Sequence, residues 1–590
     1  MKQRQLMSGN EAVARGAWEG GCHFVSSYPG TPSTEITETL LKYPEIYTEW
    51  AVNEKVALES CIGASSFMGA RSLTAMKHVG LNVAADPMFS LGYIGVKGGL
   101  VIISCDDPGM WSSQTEQDNR HYARHAKIPT LEPSDSNEAK DFTKLAFEIS
   151  ENYDTAIILR LTTRISHSSS IVTLGIRHGV SIKGYKKNTQ KNLILPAHAR
   201  ILHQNVEKKL KRLAQFSEQF HYNKIEWKNQ KIGIITSGIS YMYAKEVFPD
   251  ASFLKLSFTY PLPTKLIRKF ANGVKKIFVI EEGDPILEEE IKALGIKVIG
   301  KDKIPLCGEL SPEIIKKSFN LPIFKPALQF NNIPSRPPVL CPGCPERPIF
   351  YVLKKLGLTA TGDIGCYTLG AEYPLNALDT CVCMGASITN AYGMYKIATK
   401  IKDNKTKDKL VAVIGDSTFF HSGISGLINA VYNRSNLKII VLDNLATAMT
   451  GQQPNPGSGF LANGEVGQRI KIENVIRGCG VKFVKVITSQ KLKRIESAIK
   501  ELLAYDGVGV LIFRSPCIFL KSNNNYRNID PRKCKRCGLC LNIGCPAISL
   551  QKNKKQNRNV SVIDANLCCG CDLCVQQCPY GAISKKRFKK

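Results

Sequence analysis

Cysteines, twenty of them in 590 residues, carry the clearest chemistry in this chain. Cys534, Cys537 and Cys540 are spaced C-x-x-C-x-x-C, and Cys545-Pro546 follows after a gap of four residues. Cys568, Cys571 and Cys574 repeat the run, with Cys578-Pro579 after a gap of three. Three thiolates on one tight loop reach three corners of an iron–sulfur cube, and the cysteine beside proline crosses to the other cube. On that rule one [4Fe–4S] cluster takes Cys534, Cys537, Cys540 and Cys578. A second takes Cys568, Cys571, Cys574 and Cys545. The gap before Cys545 is one residue longer than the usual bacterial spacing, which a loop absorbs. Zinc also suits C-x-x-C pairs, but two triple runs with trailing Cys-Pro match paired zinc sites poorly. Cys569 is read as a bystander.

A second constellation lies at 410–460. Leu410–Ile414 is a short apolar, branched run, read as a buried strand. Gly415-Asp416-Ser417 follows, then a helical stretch near Ser425–Tyr432, then a second strand at Leu437–Leu442 ending in Asp443-Asn444. This βαβ unit puts Asp416 and Asn444 at the carboxyl ends of two strands, where α/β sheets bind ligands. A carboxylate and an amide carbonyl suit a hard cation that keeps oxygen ligands and bridges phosphates, Mg²⁺ above all. Gly415 is expected to let the backbone approach a diphosphate, and the helix start at Ser417 to hold its charge. The Gly-Asp…Asn pattern resembles the thiamine diphosphate motif, although the same residues also end strands as ordinary turns.

Further motifs extend the resemblance along nearly the whole chain. They are Tyr28-Pro29-Gly30-Thr31-Pro32-Ser33, Val52-Asn53-Glu54-Lys55-Val56-Ala57, Met76-Lys77-His78-Val79-Gly80-Leu81-Asn82 and Asp106-Asp107-Pro108-Gly109-Met110. Leu340-Cys341-Pro342-Gly343-Cys344, Asp363-Ile364-Gly365-Cys366-Tyr367, Cys383-Met384-Gly385-Ala386 and Gly415-Asp416-Ser417-Thr418-Phe419-Phe420-His421 follow in order. Together they resemble the alpha subunits of indolepyruvate:ferredoxin oxidoreductases, within the 2-oxoacid:ferredoxin oxidoreductase family.

The resemblance implies a division of labour. Glu54 matches the glutamate that hydrogen-bonds the aminopyrimidine ring of thiamine diphosphate; on local grounds alone it is a surface Glu opening an alanine-rich helix. Thr31 matches the threonine near the substrate carboxylate, and locally Thr31-Pro32 reads as a helix N-cap with proline at the first position. Mg²⁺ would take Asp416, Asn444 and the backbone carbonyl of Ala446. Cys341, Cys344, Cys366 and Cys517 resemble the ligands of a third [4Fe–4S] cluster near thiamine; the alternative is four scattered buried thiols. The family implies a 2-oxoacid substrate, indolepyruvate or another arylpyruvate, with coenzyme A as acyl acceptor and ferredoxin as electron acceptor. It also implies a smaller beta subunit, hence a hetero-oligomer. The chain departs from the family's motifs at three places. Glu346 stands in Cys341-Pro342-Gly343-Cys344-Pro345-Glu346-Arg347, and Gln452 and Asn455 in Thr450-Gly451-Gln452-Gln453-Pro454-Asn455-Pro456-Gly457, where the family has histidines. Imidazole is titratable and the replacements alter acid–base roles and pocket charge, so substrate identity is what they put in question.

To position these residues the chain needs several domains, roughly three to five by length. The expected class is α/β: parallel sheets for thiamine diphosphate, a smaller α/β domain and a terminal ferredoxin-like α+β module. A pyrimidine-binding domain is expected over 1–175, a basic linker over 176–230 and a smaller, transketolase C-terminal-like α/β domain over 231–325, with Lys231–Thr236 and Ile277–Ile280 as strands. The diphosphate domain is expected over 335–520 and the ferredoxin-like module over 525–590, joined by an Asn-rich hinge at 521–530. The linker reading comes from 181–230, where eleven Lys/Arg meet three acids. The net charge of +29 is spread along the chain as scattered lysines with no nucleic-acid motif, so docking of an acidic electron carrier is the preferred partner reading. There is no apolar run of eighteen residues for a membrane span. The polar stretch Met1–Asn10 lacks the apolar core of a secretory signal. A cytoplasmic location follows as an expectation, and clustered C-x-x-C runs then point to metal rather than disulfides.

Overall fold

The computed structural model describes every residue except 1–2, 324–332, 335–336, 521–524, 554–557 and 588–590. The chain divides into two compact units, Met1–Gln329 and Phe330–Lys590.

In the first unit, Leu100–Asp106 is apolar through most of its length and wholly buried, as a parallel strand covered on both faces must be. The main sheet orders its strands as Phe258–Tyr260, Thr130–Leu131, Ile157–Thr162, Leu100–Asp106, Ser72–Lys77, Phe24–Ser27 and Tyr47–Trp50. Every neighbouring pair is parallel except the first. Val101, Ile103 and Cys105 enter one apolar core while Leu100 and Ile102 enter another, so packing covers both faces of the sheet. A second sheet runs Lys276–Ile280, Asn229–Ser237, Ala251–Leu256, Lys224–Glu226, parallel apart from its last strand.

The stretch 176–230 departs from the expected linker. Pro196–Gln219 is a 24-residue helix with proline in its first turn. Leu202, Val206, Lys209, Leu213 and Ser217 lie buried along one stripe of it, and polar side chains such as Lys208 and Lys211 lie outside that stripe. Phe258–Tyr260, from the smaller α/β domain, completes the edge of the main sheet.

The second unit is built on a parallel five-stranded sheet ordered Thr359–Thr361, Leu410–Gly415, Lys438–Asp443, Gly509–Arg514, Phe483–Ile487. After it come two antiparallel ribbons, Asn525–Ile529 with Ile583–Arg587 and Ile548–Asn553 with Arg558–Ile563, and the short helix Leu573–Gln577. Much of the supposed hinge is thus a strand, and its first residues, 521–524, lie outside the described residues. The ribbons are no loose appendage. One apolar core runs from Ile349, Val413 and Leu511 of the sheet domain into Ile543, Leu573 and Ile583 of the terminal module.

Candidate active site and cluster sites

In the first unit the expected thiamine and substrate residues gather at the carboxyl edge of the main sheet. Asn53 caps the helix Glu54–Ile62, its Oδ1 accepting from Val56 N at 2.9 Å. Glu54 is therefore the first helical residue, as expected, but it is buried to 5% exposure instead of lying on the surface. Gly80 makes the room: a Cβ there would stand 2.7 Å from Glu54 Oε1. Thr31 is not a helix cap. The helix begins at Thr34, and Ser33 closes the preceding turn by donating from Oγ to Gly30 O at 2.7 Å, leaving Thr31 and Pro32 as its corners. Ser112 Oγ donates to Thr31 O at 3.2 Å, and Lys77 donates to Ser112 O. Burial pulls the Lys77 ammonium down to about 8, against the opposing charge of Asp107. Burial and the Lys77 charge together press His78 down to about 4.

In the second unit Asp416 and Asn444 follow neighbouring parallel strands, paired through Gly415 and Leu442. Asp416 is 2% exposed; its Oδ1 accepts from Ser417 N at 2.8 Å and its Oδ2 from Asn455 Nδ2 at 3.0 Å. Among the described residues it has no ion pair. Burial, with the nearby charge of Asp443, pushes its carboxyl up to about 8. A buried carboxylate without a cation is costly, and this is the observation that fits a divalent ion here. Asn444 Nδ2 donates to Glu346 Oε1 at 2.8 Å and its Oδ1 accepts from Ala446 N at 3.1 Å. Leu445, between them, takes a left-handed conformation, φ 62°. Ser417 and Thr447 hydroxyls meet at 2.8 Å. The turn Asp416–Thr418 runs through a π-helical turn, Phe419–Gly423, into the helix Ile424–Tyr432.

The fold gives Gly415 a reason beside the expected one. A Cβ on it would stand 2.6 Å from the Tyr367 ring, whose hydroxyl donates to Ile364 O at 2.8 Å and also meets Thr418 Oγ1 at 3.2 Å. The missing side chain thus lets a buried tyrosine brace the start of the Asp416 turn.

Two of the three residues that replace family histidines touch the expected Mg²⁺ ligands: Asn455 holds Asp416, and Glu346 holds Asn444. Gln452 instead donates to Ala448 O at 3.1 Å. The sequence marked these positions as departures but gave no partner for them. Burial pushes Glu346 up to about 7.

The four scattered cysteines of the body lie close to this site. Cys344 Sγ is 3.8 Å from Glu346 Oε2, and Cys517 N donates to Asn444 O at 2.9 Å. Burial raises the Cys366 thiol to about 12, and the charges of Glu346, Cys341 and Cys517 add to it, so these groups stand within one another's field.

The terminal module holds two cavities. One is lined by Cys545 together with Cys568, Cys571 and Cys574. The other is lined by Cys578 together with Cys534, Cys537 and Cys540. These are the crossed sets expected from spacing. Among the described residues no three His, Cys, Asp or Glu converge on a single ion. Cys569, read as a bystander, donates to Cys571 and lowers its thiol.

Residues 363–513 match the C-terminal TPP-binding domain of thiamine pyrophosphate enzymes. Residues 15–223 match the thiamine-diphosphate-binding domain of pyruvate flavodoxin/ferredoxin oxidoreductases, and 561–584 a 4Fe-4S binding domain. With the parallel sheets and the cysteine-lined module, these define a thiamine-diphosphate-dependent iron–sulfur oxidoreductase. The indolepyruvate oxidoreductase subunit IorA of Pyrococcus horikoshii is 41% identical over 99% of this chain and 97% of that protein. The IorA of Archaeoglobus fulgidus is 40% identical over 98% and 97% respectively. A solved 2-oxoglutarate:ferredoxin oxidoreductase from Magnetococcus marinus is 19% identical, covering 54% of this chain and 65% of that one, with a TM-score of 0.45. The chain belongs to the IorA family of 2-oxoacid:ferredoxin oxidoreductase subunits.

Proposed function

We propose that this catalytic subunit oxidatively decarboxylates indolepyruvate and other arylpyruvates to their acyl-CoA, passing electrons to ferredoxin in complex with a smaller beta subunit. The observation that carries the reading is the second unit itself. It brings the Asp416–Asn444 pair, the four body cysteines and both cysteine-lined cavities into one compact body.

Asp416, Asn444 and the Ala446 carbonyl would hold Mg²⁺ and through it the diphosphate, with Asn455 and Glu346 fixing the two side chains in place. Ser417 stands in the same turn, at the helix start that would help hold the anion's charge. Glu54, buried at its helix start, would hold the aminopyrimidine ring, and Thr31 would hydrogen-bond the substrate carboxylate. Bound there, thiamine diphosphate supplies the electron sink for decarboxylation and the iron–sulfur clusters accept electrons singly. Cys341, Cys344, Cys366 and Cys517 are the ligands for a cluster beside thiamine. Cys545, Cys568, Cys571 and Cys574, and Cys578, Cys534, Cys537 and Cys540, are those of the module's two. No helix among the described residues is long and apolar enough to cross a membrane, which accords with a cytoplasmic enzyme.

The test is anaerobic co-expression with the beta subunit, followed by iron and thiamine determination and viologen reduction. Indolepyruvate- and coenzyme-A-dependent reduction, with about twelve iron atoms per chain for three cubes, is the expected result. Glu54→Gln should lower that turnover at least about 100-fold. The charge of Glu346 where the family has histidine favours one second reading, a different 2-oxoacid such as pyruvate or a branched-chain acid. A panel showing reduction with one of those and none with indolepyruvate would establish it. Full cofactor content without reduction of any acid would instead leave a degenerate electron relay.

A further inference from the structure

Arg347 is 1% exposed and the largest of the fully buried side chains. A buried charge is paired or it is expensive, yet among the described residues Arg347 forms no ion pair. Its hydrogen bonds go to main-chain carbonyls. One guanidinium nitrogen donates to Leu340 O and to Cys341 O at 3.0 Å. Another donates to Ile543 O at 3.1 Å and to Gly544 O. Among the described residues its Nε has no partner. The four carbonyls belong to two loops: the first enters Cys341–Cys344, and the second ends in Cys545. A second contact joins Cys341–Cys344 to the terminal module, since a Cβ on Gly343 would stand 1.8 Å from Cys569 Sγ.

Arg347 also lines the cavity of Cys545, Cys568, Cys571 and Cys574, together with Pro342 and Gly343 of the first loop. What this guanidinium lacks is an anion on either side, and a cube ligated by four thiolates is one.

We propose that Arg347 is a positioning residue that clamps the Cys341–Cys344 loop to the Cys545 loop and supplies the counter-charge shared by the two iron–sulfur clusters those loops ligate. The proposal rests on the cluster assignments above. Its physics is direct. Reduction adds one negative charge to a cluster, and a desolvated cation beside it favours the reduced form. The fork of arginine donates to two loops at once, and lysine keeps the charge with three donors of its own.

The experiment compares the anaerobic holoenzyme, Arg347→Gln and Arg347→Lys by iron content and by redox titration followed by electron paramagnetic resonance. In Arg347→Gln the two adjoining clusters should become harder to reduce by about tenfold in equilibrium constant, about 59 mV more negative for a one-electron couple. Arg347→Lys should return most of that shift, and the potential of the cluster at Cys534, Cys537, Cys540 and Cys578 should not move in either variant. If Arg347→Gln loses iron, retention of iron and potentials by Arg347→Lys supports the shared counter-charge, and equal loss in both variants overturns it. Full iron with unmoved potentials in Arg347→Gln also overturns the proposal and leaves the cluster assignments standing. Wild-type enzyme holding only the module's two clusters overturns the assignment beside thiamine and this proposal with it.

Discussion

At the scale of single residues, the carboxylate of Asp416 depends on a neighbour that no motif names. Asn455 gives it a hydrogen bond, and a bond to a charged group contributes about 1.5–3 kcal/mol. Asn455→Ala is therefore expected to weaken Mg²⁺–thiamine diphosphate binding by about 10- to 100-fold, measured by calorimetric titration, with iron content unchanged. The proposed Mg²⁺ ligands could be picked out because Gly-Asp and Asn end two apolar runs. Their supports were not, since Asn455 and Glu346 lie 39 and 98 residues from the groups they hold. His78 supplies a pH dependence. Burial lowers it from 6.5 to about 4, and the charge of Lys77 adds to the shift. The fold thus prefers neutral imidazole, so the stabilisation is complete above the unfolded value and lost as pH falls through the folded one. At pH 5 it amounts to a loss of about 2 kcal/mol. Denaturant titration at pH 7 and pH 5 should show wild type losing that much more than His78→Gln.

At the scale of elements, the strand Leu410–Gly415 and the turn after it are one device, with Tyr367 wedged where Gly415 has no side chain. Gly415→Ala is expected to cost about 1–3 kcal/mol through overpacking and to reduce thiamine diphosphate retention by displacing Asp416; thermal unfolding with and without cofactor measures both. Both strands of this βαβ unit were readable as short apolar runs between turn residues. The helix Pro196–Gln219 was missed because lysine density was taken for linker composition, although Leu202, Val206 and Leu213 carry its helical spacing. At Thr31 a Thr-Pro pair imitated a helix start, while hydrogen bonding from Ser33 places the turn one step earlier.

At the scale of the molecule, the terminal module shares its apolar core with the diphosphate domain. Tyr351 donates to Gln577 Oε1 at 2.6 Å, and Leu492 N to Gln576 Oε1 at 2.9 Å. Such contacts join residues 226 and 84 positions apart, and for that reason the module read as joined to the body by a hinge. A chain ending at residue 520 would uncover that core, at about 25 cal/mol for each Å² of apolar surface returned to water. Sedimentation and thermal unfolding should find it aggregated or markedly less stable, where a tethered module would leave its melting unchanged. Within the module, Cys545 lines the cavity of the later triplet and Cys578 that of the earlier one. Each half therefore lends a cysteine to its sibling, and neither pocket is complete until both halves have folded. Loading with iron should then be all-or-none, with empty and doubly filled modules but no stable half-filled form. The smallest portable piece of this wiring is the pair.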